Sequence, residues 1–250
     1  MRRFFVDHSG LSDTTAVLTG SEAHHIISVL RLDVGTPICL FDGTGMVYHA
    51  RIEKIHKRRV VAEIFATVKD DDSQVSALHV GQAILKSKKM DFIVQKATEL
   101  GVTGLYPFIS RYCITANIPQ SREKRQRERW QRIAREACKQ CGRATPPNCS
   151  PTMEFEMLLT SISASEEIDQ KLIFWEEEKE RTISDVFGNK ASVDSVMILI
   201  GPEGGFDQAE VTKAIAAGFH PISLGRNTLR AETASLTAIA ILQYLMGNLG

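Results

Sequence analysis

The stretch MILIGPEGGFDQAEV, residues 197 to 211, restricts the fold more than any other part of the chain. Val196 to Ile200 is a short β-rich apolar run, the pattern of a strand buried on both faces, as in a parallel sheet. It stops at Gly201, Pro202, Glu203, Gly204 and Gly205. The three glycines let the backbone turn sharply and leave no side chain in the way of a close neighbour. Asp207 is a good N-cap, and Glu210 three residues later completes a capping box. The unit is therefore strand, glycine loop, capped helix, and the fold class is α/β. In open α/β sheets ligands bind at the carboxyl ends of the strands, where such loops sit. The plainer reading is a tight turn that needs glycine for geometry alone. No Gly-Lys-Ser/Thr follows, so it is not a P-loop, and the spacing is not the dinucleotide fingerprint.

The remainder of the C-terminal two thirds has the same rhythm. Ala77 to Leu85, Val102 to Ile109, Leu172 to Trp175 and Pro221 to Leu224 read as strands. Met90 to Leu100 reads as a helix closed by Gly101, and Ser121 to Gly142 as a long helix with Trp130, Ile133, Ala137 and Cys141 on one stripe. A helix from about 208 to 217 follows the glycine loop. The last helix is apolar nearly all round, which requires burial, in part against a partner subunit.

The first seventy residues are different. Thr36 to Phe41, Met46 to Ile55 and Val60 to Thr67 are strand-like runs. DGTG at 42 to 45 is a hairpin turn, and HKRR at 56 to 59 falls where another belongs. SEAHHIISVLRL is a short helix with Ser21 as its cap. Short strands and tight turns predict a compact barrel. VKDDDSQV, residues 68 to 75, is an acidic linker, so the predicted domains are 1–72 and 73–250.

At 250 residues with 43% hydrophobic content the chain is globular. Ala234 to Met246 is interrupted by polar residues and too short to span a bilayer, and MRRFFVDHSG has no apolar secretory core, so a cytoplasmic protein is expected. Cys138 and Cys141 form a C-x-x-C on a helix. Zinc needs two further ligands, and Cys149 is the only cysteine nearby, so packed thiols and no metal are expected.

Formal net charge is zero, so composition alone argues for no polyanionic partner. The positive charge is nonetheless segregated. It falls in Arg2-Arg3, in KIHKRR with Lys57, Arg58 and Arg59, in KSKK with Lys86, Lys88 and Lys89, and in the helix 122 to 143. That helix carries nine Lys or Arg against three Glu. Any one cluster is a solvated face; four together are the footprint of a phosphate-backbone partner.

A second glycine-bearing loop, GRNTLRAETA, precedes the last helix. It places Arg230 and Glu232 one residue apart at a helix start, where an ion pair or a favourable helix dipole would account for them. LIGPEGGF followed by LGRNTLRAETA closely resembles the C-terminal signature of the SPOUT class of knotted methyltransferases. The nearest resemblance is to the RsmE family, which methylates N3 of a uridine in 16S ribosomal RNA. RRFFV, HHIISVLRL, MDFIVQKATELGV and WQRIAREACKQCGR carry the likeness through the rest of the chain.

The resemblance implies an N-terminal PUA-like β-barrel that binds RNA, followed by a SPOUT α/β domain with a deep C-terminal trefoil knot. It implies S-adenosylmethionine as cofactor, 16S ribosomal RNA or the small ribosomal subunit as partner, and a homodimer. The implied cofactor wall is Phe174, Trp175, Glu176, Ile200, Gly201, Glu203, Gly204, Gly205, Leu224, Gly225 and Leu229. The implied catalytic pair is Arg230, with Glu232 holding its guanidinium. RNA contacts are expected from the clusters above and from Arg31, Arg111 and Arg143. The chain departs from the family pattern at Ser87-Lys88-Lys89, where Gly-Asp/Glu-Arg is usual, and at Arg226-Asn227, where Pro-Arg or Arg-Arg is usual. Three rival readings are a SPOUT enzyme acting on another RNA position or a ribose 2′-hydroxyl, a non-catalytic RNA-binding ribosome assembly factor, and a nucleotide-phosphate-binding enzyme using the glycine loop, which lacks the lysine it would need.

Overall fold

The computed structural model describes residues 1–70, 76–86, 88–113, 120–163, 168–187 and 193–250. It divides into two compact units. The first is Met1–Gln74 with Arg135–Pro146, and the second is Val75–Ala134 with Pro147–Gly250. The expected boundary at 72/73 lies outside the described residues, as does the end of the linker. Its start, Val68 and Lys69, is still strand.

The first unit contains β1 (Arg2–Phe5), β2 (Thr15–Leu18), α1 (Gly20–His24), β3 (Pro37–Phe41), β4 (Met46–His56) and β5 (Arg59–Lys69). They form a five-stranded sheet in the order β1-β3-β4-β5-β2. Only β1 and β3 run parallel. Between β3 and β4, Gly43 (φ 87°) and Gly45 (φ 90°) adopt the left-handed backbone that the hairpin requires. Asp42 fixes that turn by accepting from the Thr44 N–H at 2.9 Å and from the Tyr48 hydroxyl at 2.9 Å. Lys57 and Arg58 form the tip of the next hairpin, with His56 paired to Arg59. Phe4, Leu18, Ile26, Ile38, Leu40, Ile52 and Val60 fill the core.

Ser21 does not cap α1. Thr19 is the capping residue, with no side-chain hydrogen bond, and α1 runs on into a π-helical turn over His25–Val29. Residues 135–146 also belong to this unit. Phe41 packs with Cys138 and Ala144, and Lys139 pairs with Glu22.

The second unit holds β6 (Ala77–Ala83), α2 (Lys89–Glu99), β7 (Gly104–Ile109), most of α3 (Gln120–Cys141), β8 (Asn148–Cys149), β9 (Met153–Glu154), α4 (Phe155–Ser163), β10 (Gln170–Phe174), α5 (Ile183–Phe187), β11 (Ser195–Ile200), α6 (Gln208–Ala216), β12 (His220–Ile222) and α7 (Ala231–Leu245). Its sheet runs β12-β10-β11-β6-β7-β8, with β9 also on β7, and every pair is parallel. β11 is central and buried along its whole length, as its unbroken apolar run demands. Trp130 is fully buried here, as the α3 stripe predicts.

The last helix is not buried all round. Ala238, Ile239 and Leu242 face the core, whereas Tyr244 (67% exposed), Leu245 (44%) and Ile241 (38%) lie open. Gln243 Nε2 donates to the Leu100 carbonyl at 2.6 Å, which fixes α7 beside the end of α2. Among the described residues no helix is long and apolar enough to cross a membrane.

Candidate active site

β10, β11 and β12 lie side by side and end at one edge of the sheet, so the loops that follow them meet there. The β11–α6 loop is the glycine stretch. Gly205 has φ 72°, its N–H donates to the Pro202 carbonyl at 3.1 Å, and its backbone lies against the Glu176 carboxylate. The capping box then starts α6. Asp207 Oδ1 accepts from the Ala209 N–H at 3.0 Å, and Glu210 Oε2 accepts from the Asp207 N–H at 3.0 Å. The β12–α7 loop turns at Gly225, φ 112°, where the Ser223 hydroxyl accepts the Gly225 N–H at 3.2 Å.

These loops enclose two adjoining hollows. One, about 990 Å³ with its open mouth, is lined by Lys89, Phe174, Glu176, Ile200, Gly201, Glu203, Gly205, Leu229 and Arg230 among others. The other, about 480 Å³, shares Phe174, Glu176 and Leu229 and adds Trp175, Leu224 and Gly225. Ten of the eleven expected cofactor residues therefore line this cleft. Gly204 does not. A Cβ there would come 2.9 Å from Tyr112 Cβ, so its bareness accommodates Tyr112. Thr228 and Ser223 also line the cleft, and their residue types carry no chemical signal in the sequence.

The expected Arg230–Glu232 pair is corrected. Arg230 is the N-cap residue of α7, is exposed, and forms no ion pair among the described residues. Glu232 instead meets Lys89, with Oε2 3.1 Å from Lys89 Nζ, a charge contact without the alignment of a hydrogen bond. Glu203 Oε1 lies 3.1 Å from the same Nζ. These two carboxylates raise the Lys89 pKa, with Glu232 the larger influence. Burial is the largest single influence on the Glu203 carboxyl and raises it, but Lys89 together with its own backbone N–H and that of Lys86 holds it below the ordinary value. Glu232 is lowered first by its own backbone N–H at the helix start, then by Lys89 and by the charge of Arg230.

The expected RNA-contacting residues divide by environment. Arg2, Lys57, Arg58, Arg59, Lys86 and Lys88 are exposed. Arg31 is exposed and has φ 50°, the only left-handed non-glycine among the described residues. Arg3 is committed to its own unit: Nη2 donates to the Arg143 carbonyl at 3.2 Å, and the guanidinium lies 5.6 Å over the Phe41 ring. Arg111 pairs with Asp207 at 3.1 Å. Lys89 turns to the two carboxylates. Its sequence neighbours are basic, so proximity in sequence alone groups it with them. Among the described residues no group of three His, Cys, Asp or Glu is placed to hold a metal.

Known proteins resemble this chain over nearly its whole length. Residues 72–243 match the model of the RNA methyltransferase domain, and residues 18–65 match that of the RNA methyltransferase PUA domain. The chain is 33% identical to ribosomal RNA small subunit methyltransferase E of Buchnera aphidicola subsp. Schizaphis graminum, over 93% of this chain and 91% of the relative. It is 27% identical to the protein of that name from Bacillus subtilis, over 98% and 96%. A Legionella pneumophila methyltransferase in complex with S-adenosylmethionine superposes with TM-score 0.86 at 29% identity, over 97% and 96%. Ribosomal RNA small subunit methyltransferase E from Neisseria gonorrhoeae, bound to S-adenosylmethionine, gives 0.82 at 34% identity, over 98% of each chain.

Proposed function

The chain belongs to the family of ribosomal RNA small subunit methyltransferase E, and from that premise we propose that it methylates N3 of a uridine in 16S ribosomal RNA, using the cleft between the 201–205 and 224–231 loops. It is an S-adenosylmethionine-dependent ribosomal RNA methyltransferase. The observation that carries the residue-level reading is Arg230, a guanidinium with no ion pair among the described residues, on the wall of a cleft at the carboxyl edge of a parallel sheet.

The cleft suits this cofactor. Phe174, Trp175, Leu224 and Leu229 offer apolar walls to a purine, and the Glu176 and Glu203 carboxylates suit a cationic sulfonium and ammonium. Gly225, with no atom within 4 Å of an added Cβ, bares the backbone to a ligand, and Leu224 has a peptide N–H with no hydrogen bond among the described residues. When bound, S-adenosylmethionine supplies an electrophilic methyl group on sulfur.

The chain's own residues supply orientation and charge. Uracil N3 carries a proton between two carbonyls, and its loss spreads negative charge onto both oxygens. Arg230 offers a planar fork of donors to that charge from the wall of the cleft. The remaining rate enhancement comes from holding nucleophile, methyl carbon and sulfur in line. Exposed basic residues of both units, Lys57, Arg58 and Arg59 in the first and Lys86 and Lys88 in the second, bind the RNA backbone.

We place a homodimer contact on the open face of α7, where Ile241, Tyr244 and Leu245 are exposed. Action on ribosomal RNA makes the protein cytoplasmic. Two measurements test the reading: titration calorimetry with S-adenosylmethionine, and base-resolved mapping of the methyl mark on small-subunit particles. A mark on ribose, or on no uridine N3, would overturn the assignment.

A further inference from the structure

Lys89 begins α2 with a side chain turned into the cleft. Its Nζ stands 3.1 Å from Glu203 Oε1 and 3.1 Å from Glu232 Oε2. One carboxylate comes from the glycine loop and the other from the first turn of α7. Arg230 lies two residues before Glu232 and forms no ion pair among the described residues. Its charge nevertheless reaches Glu232 and helps to lower that carboxyl.

A guanidinium and a carboxylate this close have an obvious alternative. A carboxylate accepts a planar fork more favourably than a point-like ammonium, because two parallel N–H bonds can form at once. A paired Arg230 would commit to Glu232 the donors that an anionic base needs. The observed arrangement avoids this by giving Glu232 a different cation. Glu203 shares the same ammonium and helps to hold Lys89 beside Glu232.

We propose that Lys89 is a positioning residue, which occupies Glu232 so that the Arg230 guanidinium stays unpaired and available to the carbonyl oxygens of the uracil anion. This rests on the role assigned to Arg230 above. In this role Lys89 acts on Arg230 through Glu232.

The test uses the full-length protein as Lys89→Met, Lys89→Arg, Glu232→Gln and the Lys89→Met/Glu232→Gln double variant. Two quantities are read: kcat and KM on small-subunit particles, and the rate at which phenylglyoxal modifies Arg230, followed by mass spectrometry. Lys89→Met should lower kcat about tenfold or more with KM little changed, and should slow modification of Arg230 severalfold, because Glu232 then captures it. Glu232→Gln in that background should restore both, since no carboxylate remains at 232. Lys89→Arg should retain both. A merely structural lysine would not be rescued by removing its partner. The proposal is overturned if Arg230 is as reactive in Lys89→Met as in wild type, or if the double variant is no better than the single one. Should Lys89→Met fail to fold, Lys89→Gln, which removes the charge and keeps a donor, is read by the same two assays. If the wild type transfers no methyl group to small-subunit RNA, the proposed function falls, and the reactivity of Arg230 still decides this inference.

Discussion

Glu210 holds the backbone of Arg111 across the glycine loop. Its Oε1 accepts the Arg111 N–H at 2.9 Å while its Oε2 accepts the Asp207 N–H at 3.0 Å. The side chain is only 7% exposed, so neither N–H has water as a ready substitute.

Replacing Glu210 by alanine should therefore destabilise the second unit. Two hydrogen bonds to a charged acceptor disappear and two N–H groups are orphaned, at a cost of about 2–4 kcal/mol. Glutamine should recover part of this, since it retains one acceptor oxygen. Thermal unfolding of the three proteins measures the order: wild type above Glu210→Gln above Glu210→Ala.

The glycines of the cleft should respond differently to alanine. At Gly205 the backbone is left-handed and a Cβ would strike the Glu176 carboxylate, so strain of about 1–2 kcal/mol is joined by displacement of a cleft wall. Gly225 is left-handed but open, with no atom within 4 Å of a Cβ. Gly204→Ala would press on Tyr112 instead. Calorimetry should find S-adenosylmethionine binding clearly weakened in Gly205→Ala and near wild type in Gly204→Ala. Equal losses in both would place the ligand elsewhere.

Arg230→Ala should leave the melting temperature and cofactor affinity unchanged, because no ion pair is removed with it. Turnover should fall about 100-fold to 1,000-fold, the usual loss for one donor to a developing oxyanion. Arg230→Lys should recover little of it, since the ammonium cannot span two acceptors. A fully active alanine variant would remove Arg230 from the chemistry.

Reversing Lys57, Arg58 and Arg59 to Glu should weaken RNA binding and flatten its salt dependence. These side chains are exposed at a hairpin tip, and each RNA phosphate they no longer neutralise keeps about one counterion that binding would otherwise release. Cofactor binding, in the other unit, should not change. Filter binding at several salt concentrations gives the slope.

Cys149 should resist alkylation at pH 8 until the protein unfolds. Burial pushes its thiol up to about 11, with nearby Arg127 opposing only in part, so little reactive thiolate forms. Cys141, half-buried, should react first. Mass spectrometry after timed iodoacetamide exposure orders the two sites.

Local chemistry makes much of this legible. Val196 to Ile200, Asp207 with Glu210, the left-handed Gly101 and the Asp42–Gly45 hairpin each contain their own cause within a few residues. α4 is absent from the sequence reading, although Phe155, Leu158, Leu159 and Ile162 fall on one helical face. Glu232 is not legible locally, because its partner is chosen by tertiary structure. The nearest cation in sequence is Arg230, whereas the one in ion-pair contact is Lys89, from the start of α2. Arg3 shows the same limit: its neighbour Arg2 is exposed, while β1 turns Arg3 onto Phe41. Side chains on adjacent strand positions face opposite ways, so a run of like residues need not share a role.

Residues 135–146 complete the N-terminal unit from a point far along the chain. Phe41 is covered by Cys138 and Ala144, and the Asp70 carboxylate accepts the Ala144 N–H at 3.1 Å. A genetic crossover near codon 72 would separate a sheet from its own cover and strand an apolar surface in each recombinant. The PUA half of such a protein cannot be shuffled as a cassette. It must be inherited together with the enzyme whose long helix finishes it.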